Sequence, residues 1–398
     1  QINQNVILNI KSLLTENENW EQGFNGFTFS PKFKDDNYLF VSYNNKKNQI
    51  IISRFKYDDK IKIAPLSSEV KLLIIDRLPP VSSDKPEHNC GTIDFNPKDN
   101  YLYACIGDTR VPESSQNINV LNGKILRINP FVEDTSEKNY ITVKENPFIQ
   151  LKGKPEILFA GFRNPWNFSF DPETGDIYIP DVGSEYIEEL NVVKYDDFNN
   201  FLNFGAGCFE GSYRVYDKHY EDALNTEKIC LKNINNPLIK MVEPKLQYFH
   251  DSLIWTNKNY GNSIIGGVVY KNKDSIWHNH YFFGDLVSNN IWYLDTNKTK
   301  NYIGINLLFG DDLDLGLTSI TQIDDKLLAT SYMGSIYEIV LPDKKNYEKS
   351  IYNRPIIYSK LYGVDIMNKS SEVIYTSESE FYKLLLKVRK FKKKFFGQ

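Results

Sequence analysis

Short runs of alternating apolar and polar positions recur along this chain, each followed by a turn and a second run. Phe27-Thr-Phe-Ser-Pro31 leads through a polar turn to Tyr38-Leu-Phe-Val-Ser-Tyr43. Ile93-Asp-Phe-Asn-Pro97 leads to Tyr101-Leu-Tyr-Ala-Cys105, and Phe168-Ser-Phe-Asp-Pro172 to Asp176-Ile-Tyr-Ile179. Fainter copies run from Val268-Val-Tyr270 to Tyr281-Phe-Phe283 and from Ile320-Thr-Gln-Ile323 to Lys326-Leu-Leu-Ala329. Such alternation predicts half-buried strands, and the Pro, Gly, Asn and Asp between runs are turn chemistry. A further strand follows several hairpins, at 48–55, 123–128, 289–294 and 334–339, opened by Gly or Asn and filled with β-branched and aromatic residues. Helical periodicity is nearly absent up to about residue 341. A unit of this kind cannot bury both faces alone, so its recurrence predicts a β-propeller; a β-sandwich or two smaller β domains is the alternative.

Composition bounds this picture without redirecting it. At 398 residues, with 41% hydrophobic and 14% aromatic residues, the chain holds one large β domain or two ordinary ones. No run of eighteen apolar residues exists, so no membrane-spanning helix is expected. The first residue is Gln1 rather than Met, which leaves open a removed leader or a trimmed chain. The net charge of −4 is uneven: residues 381–398 carry seven Lys/Arg and no acid, leaving 40 basic against 51 acidic residues elsewhere, a net of −11. So acidic a body argues against nucleic acid as its main partner, because a phosphate backbone needs a basic face.

Residues 160–191 concentrate the candidate chemistry: Arg163 and Asn164, a strand–turn–strand unit, then Asp181-Val-Gly-Ser184 and Glu188-Glu189. The intervening hairpin carries its two flanks to the same end of a sheet, which predicts a guanidinium and an acidic, carbonyl-rich loop at one pocket.

The ordered motifs resemble a known family. Glu21-Gln-Gly-Phe-Asn-Gly-Phe-Thr-Phe-Ser-Pro31, His88-Asn-Cys-Gly91 with Ile106-Gly-Asp108, Leu121-Asn-Gly-Lys-Ile-Leu-Arg-Ile-Asn129, Gly161-Phe-Arg-Asn-Pro-Trp166, Asp181-Val-Gly183, Asn203-Phe-Gly205 with Cys208-Phe-Glu-Gly211, and Tyr281-Phe-Phe-Gly-Asp285 look like the soluble glucose/sorbosone dehydrogenases. The resemblance covers about residues 20–340. It implies an all-β, six-bladed β-propeller over residues 1–341; beyond it, residues 342–380 read from their own pattern as an extended polar connector and 381–398 as a basic amphipathic tail. It also implies oxidation of a small sugar substrate, an aldose, at its anomeric carbon, with pyrroloquinoline quinone and Ca²⁺ as cofactors. That chemistry needs a base for the hydroxyl proton and a cation near the quinone oxygens. His88 matches the base, an imidazole being the side chain that titrates near neutrality. Glu87 takes an acidic position suited to orienting that ring, and Glu21 a polar position over the site. Arg163 and Asn164 match the pair on the quinone oxygens. The carbonyls of Gly183 and Ser184 match the calcium loop, oxygen being the ligand that hard cation takes. The same superfamily includes Hedgehog-interacting-protein-like ectodomains, which bind rather than catalyse, so a non-catalytic propeller for protein or glycan binding, or a structural role, is the second expectation.

Several features depart from the pattern or stand outside it. The quinone's three carboxylates call for cations on the later blades, yet residues 284–290 and 310–319 contain no Lys or Arg. Cys90 replaces a glycine. The resemblance implies a disulfide between Cys208 and Cys230. Cys90 and Cys105 flank a hairpin almost opposite one another, which puts a second bridge within reach; four free thiols in a cytosolic protein is the alternative. An even cysteine count in such a fold points to an extracellular, secreted or otherwise oxidising location. Asn-x-Ser/Thr sequons occur at Asn167, Asn297 and Asn368. His278 and His280 share a strand face, as metal ligands or loop histidines. The tail places Phe381, Leu384, Leu385, Val388, Phe391 and Phe395 along one helical stripe among lysines, suited to an anionic surface or partner.

Overall fold

In the computed structural model of this chain, residues 6–16, 21–78, 87–132, 138–214, 223–250, 261–296, 303–304, 316–332 and 334–341 are described. The connector 342–380, the tail 381–398, Asn297, Asn368 and residues 310–315 lie outside them. The chain forms two compact units. One comprises Gln1–Asp181, Val192–Cys208 and Tyr216–Lys240; the other comprises Val182–Asn191, Phe209–Val215 and Met241–Gln398.

The first unit opens with an antiparallel meander of β1 (Phe24–Phe29), β2 (Tyr38–Asn44), β3 (Ile50–Lys56) and β4 (Val70–Ile75). A second sheet pairs β5 (Cys90–Phe95), β6 (Leu102–Ile106) and β7 (Lys124–Asn129) antiparallel, with the strand Ile157–Ala160 beyond β7. Ser169–Phe170 and Ile177–Asp181 form a hairpin. The inner strands β2 and β6 are buried on both faces, which is why Tyr38-Leu-Phe-Val and Leu102-Tyr-Ala-Cys-Ile read as almost continuous apolar runs. β1 alternates between exposed and half-buried positions instead. Phe40, Ile52, Phe95, Leu102, Leu126 and Phe148 knit both sheets into one core. Each fully buried side chain of this size stabilises the fold by roughly 1.5–3 kcal/mol.

The second unit carries a four-stranded antiparallel sheet of Ile264–Tyr270, His280–Asp285, Ile291–Asp295 and Ile303–Gly304, and a three-stranded one of Leu317–Ile323, Lys326–Ser331 and Ile336–Ile339. Ile187–Val193 pairs antiparallel with Leu246–Phe249, and Phe209–Glu210 with Tyr213–Arg214.

All five expected hairpins form, and the four expected follow-on strands are β3, β7, Ile291–Asp295 and Ile336–Ile339. A helix over Ala223–Ile234 was not expected. Its sequence has a weak apolar stripe, and tertiary bonds fix it: Cys230 bridges to Cys208 and the Asn233 amide donates to the Gln116 carbonyl at 2.9 Å.

Candidate functional site

His88 lies in the segment that enters β5, buried, with φ of +57°. Cys90 is also left-handed, at +51°. A non-glycine residue holds that conformation only where its surroundings over-determine it, and such residues gather at functional sites. The surroundings are specific. The Glu21 carboxylate accepts the His88 N–H at 2.5 Å and the Asn89 N–H at 3.3 Å. Asp108, just beyond the end of β6, sets its Oδ1 2.6 Å from Nδ1 of the ring. The same oxygen accepts the Arg110 N–H at 2.7 Å, while the Asp108 N–H donates to the Arg163 carbonyl at 2.7 Å. Gly107 allows this approach, because a Cβ there would strike the His88 carbonyl. A carboxylate at Nδ1 can accept a proton from that nitrogen, and in the neutral ring so arranged Nε2 is the nitrogen with the lone pair. The arrangement can take a proton from a hydroxyl at Nε2.

Asp108, rather than the expected Glu87, is the acid against the ring. The Glu87 carboxylate pairs instead with Arg110. Asp108 is twenty residues on, and only the β5–β6 register carries it back. Its one signal in the sequence was its place in the Ile106-Gly-Asp108 motif.

Arg163 and Asn164 leave the strand Ile157–Ala160 through Gly161. Their N–H groups donate to the two oxygens of Asp181, at 2.9 and 2.7 Å. Burial pushes the Asp181 carboxyl up to about 7, against these donors and the Arg163 charge. Asn164 is buried, and its Oδ1 has no hydrogen-bond partner among the described residues. Beneath both segments sits Lys124, fully buried, its ammonium donating to the carbonyls of Ser114, Ser115 and Asn122 at 2.7, 3.0 and 2.7 Å. Burial presses its pKa down to about 7. Asn167, the described sequon, is half-buried in the segment after Asn164.

Gly183 and Ser184 belong to the other unit. The N–H groups of Ser184, Glu185, Tyr186 and Ile187 all donate to Oε1 of Glu210, at 2.8, 2.8, 2.7 and 3.1 Å. In a trans peptide the carbonyl points opposite to the following N–H. The Gly183 and Ser184 carbonyls therefore point away from Glu210, as oxygen ligands must to meet a cation. A further carboxylate, Glu188, accepts the Gly183 N–H at 3.2 Å and sits 2.6 Å from Nε2 of His250. Burial opposes the His250 imidazolium, but the Glu188 hydrogen bond and charge, with Glu210 and Asp285, outweigh it and raise the pKa. Asp285 is raised to about 6 by burial and the Glu188 charge.

Taken separately, Asn164 in the first unit offers a buried oxygen without a partner among the described residues, and the 183–184 loop in the second offers outward carbonyls, groups of the kind the implied quinone and calcium take. Two carbonyls fall short of the six to eight oxygens calcium takes, so the remainder would come from the bound group and water. Among the described residues no cluster of three His, Cys, Asp or Glu side chains is placed to hold a metal. That includes His278 and His280; the His280 ring has its Nδ1 3.2 Å from the His278 carbonyl and its Nε2 4.0 Å from Asp295, and packs against Trp277 and Tyr293.

Both cysteine pairs are disulfides, Cys90–Cys105 and Cys208–Cys230, with Cα separations of 5.8 and 5.6 Å. They suit an oxidising environment. No helix among the described residues is long and apolar enough to cross a membrane.

The profile of a family described as glucose/sorbosone dehydrogenase matches residues 3–201, half of the chain. The chain belongs to the glucose/sorbosone dehydrogenase family. The match takes in Glu21, His88, Asp108, Arg163, Asn164 and the 183–184 loop. Among this family member's relatives, the HIPL2 protein of Arabidopsis thaliana is 33% identical over 242 residues, 57% of this chain and 31% of that protein. The aldose sugar dehydrogenase YliI of Escherichia coli is 23% identical over 292 residues, 71% of this chain and 67% of that enzyme. The chain thus spans about a third of HIPL2, and 44% of the related HIPL1 protein. A glucose dehydrogenase structure superposes with a TM-score of 0.61 at 16% identity, covering 83% of this chain and 85% of that one. The PQQ-bound aldose sugar dehydrogenase of Streptomyces coelicolor superposes at 0.54 and 19% identity, covering 83% of each. These likenesses establish the fold, an all-β propeller-like architecture.

Proposed function

We propose that this family member is a quinone-dependent sugar dehydrogenase that oxidises an aldose at its anomeric carbon, on a six-bladed propeller in a secreted or similarly oxidising setting. The observation that carries the reading is the buried His88–Asp108 pair, with Nδ1 of the ring 2.6 Å from the carboxyl oxygen. Nε2 of His88 takes the anomeric hydroxyl proton, and the Asp108 carboxylate stabilises the imidazolium that results. Bound pyrroloquinoline quinone supplies the two-electron acceptor. Arg163 and Asn164 would hold its oxygens, and the carbonyls of Gly183 and Ser184 would ligate its calcium. Asp181, through the two N–H groups it accepts, fixes the Arg163–Asn164 backbone. Glu87, paired with Arg110, contributes charge at the rim.

A non-catalytic propeller serving as a binding or structural component is the second reading. The absence of Lys and Arg from residues 284–290 favours it, because cofactor carboxylates need counter-cations. Calorimetric titration of pyrroloquinoline quinone into the calcium-loaded chain separates the two. Micromolar or tighter binding that weakens about tenfold or more in Arg163→Ala supports the enzyme. Under the same reading His88→Ala retains binding but loses aldose-dependent dye reduction. No binding at millimolar cofactor removes the enzyme reading.

A further inference from the structure

The Cys90–Cys105 disulfide brackets the candidate base and its partner. His88 lies two residues before Cys90, and Asp108 three residues after Cys105. We propose that this disulfide is the positioning element that holds His88 against Asp108, rather than a general brace of the fold. The inference rests on the site read above only for its effect on turnover; the placement of the ring is a separate matter.

The ladder alone holds this end of β5 and β6 weakly. Its register shifts between Cys90 and Ile93. The backbone bonds past the shift, Gly107 N–H to the Asn89 carbonyl and Thr109 N–H to the His88 carbonyl, are 3.4 and 3.3 Å long. Those lie beyond the usual range for an N–H···O bond, whereas the ring–carboxylate contact is 2.6 Å. A short side-chain contact is therefore kept across strands whose backbones are loosely joined. Left-handed φ values at both His88 and Cys90 add to the tendency of this segment to relax toward extended backbone, which would swing the ring away. On the other side the anchor is firm. Cys105 is fully buried, pairs with Ile125 of β7, and is followed by Ile106 paired with Lys124, whose ammonium binds three carbonyls. The disulfide ties the strained side to the firm side. Cys208–Cys230 instead fastens the helix Ala223–Ile234, and so serves as a control within the same chain.

The test reads the His88 ring by ¹⁵N–¹H correlation spectroscopy of the full chain, with the signal assigned by its loss in His88→Gln. The expected result is a hydrogen-bonded Nδ1–H resonance in the native chain and in Cys208→Ala/Cys230→Ala. In Cys90→Ala/Cys105→Val, where valine refills the space, that proton should exchange with solvent at least tenfold faster while the remaining spectrum stays folded. An unchanged His88 signal in the Cys90/Cys105 variant overturns the proposal, as does equal loss in both variants. If the variant does not fold, native protein is treated with a dithiol, which reduces each bridge to two thiols and is itself oxidised to a cyclic disulfide. Amide exchange is then followed by mass spectrometry. Protection lost first over 88–89 and 107–109 supports the lock; loss spread evenly over the first unit overturns it. A chain that binds no quinone would remove the enzymatic reading and leave this ring measurement standing.

Discussion

With Asp108 Oδ1 2.6 Å from Nδ1 of His88, the substitution that keeps shape and removes charge is Asp108→Asn. The asparagine amide can donate to Nδ1, which moves the ring proton to Nε2 and occupies the lone pair the base needs. Under the proposed enzymatic reading, sugar turnover is expected to fall by about 10²–10⁴-fold with little change in quinone affinity. Unchanged turnover would mean that the proton goes elsewhere. Buried ionisable side chains also set how stability responds to pH. Asp181 is raised to about 7 and Asp285 to about 6, above the ordinary value of 3.8, so the native state keeps protons that the unfolded chain releases. Their contribution is full below about pH 3.8 and is lost as pH rises through 6–7. Lys124 acts oppositely: lowered to about 7 from 10.5, its contribution is recovered as pH rises from 7 towards 10.5. Urea midpoints measured between pH 4 and 7 should show a downward component that Asp181→Asn reduces; an identical slope in that variant would show that Asp181 does not hold the proton.

The loop over residues 182–186 stands on one carboxylate oxygen. Four successive N–H groups converge on Glu210 Oε1, an anion-binding nest occupied from within the chain. Glu210→Ala would leave four donors competing for water, at roughly 1–3 kcal/mol for each one left buried and unpaired. The expectation is faster amide exchange at 184–187 and loss of calcium-linked stabilisation, measured as the shift in melting temperature on adding Ca²⁺. Glu210→Gln, which keeps one carbonyl acceptor, should fall between the two. Gly183 is fixed by space, since a Cβ there would collide with the Ile187 carbonyl, and Gly183→Ala should displace the same loop.

At the scale of the whole molecule, the two disulfides make different claims on stability. Cys208–Cys230 closes a loop with a sequence separation of 22 and fastens a helix. Removing it in Cys208→Ala/Cys230→Ala should cost roughly 3 kcal/mol by denaturant unfolding, chiefly through the unfolded chain, with the His88 ring untouched. A cost under about 0.5 kcal/mol would mean the helix is held by its other contacts. The acidic charge of the body, net −11 outside residues 381–398, should make association with anionic polymers weak and salt-dependent in any chain lacking that tail.

The sequence by itself determined the strands and their pairing in hairpins. Alternation and turn residues are local, and the five hairpins and four follow-on strands appear where the pattern puts them. It also marked His88, Arg163, Asn164, Gly183 and Ser184, because motif residues are read in order along the chain. It did not determine what those residues touch. The partner of His88 is twenty residues away and reached through strand register; the carboxylate of the neighbour Glu87, closer in sequence, pairs with Arg110 instead. The oxygen that gathers the 183–184 loop comes from Glu210, across two intervening strands and a 3₁₀ segment. The helix Ala223–Ile234 escaped notice because its stripe is weak and a disulfide and the Gln116 contact fix it. Local propensity is written in adjacent residues, whereas hydrogen bonds between distant side chains exist only once packing has brought them together, and the candidate site is built from such bonds.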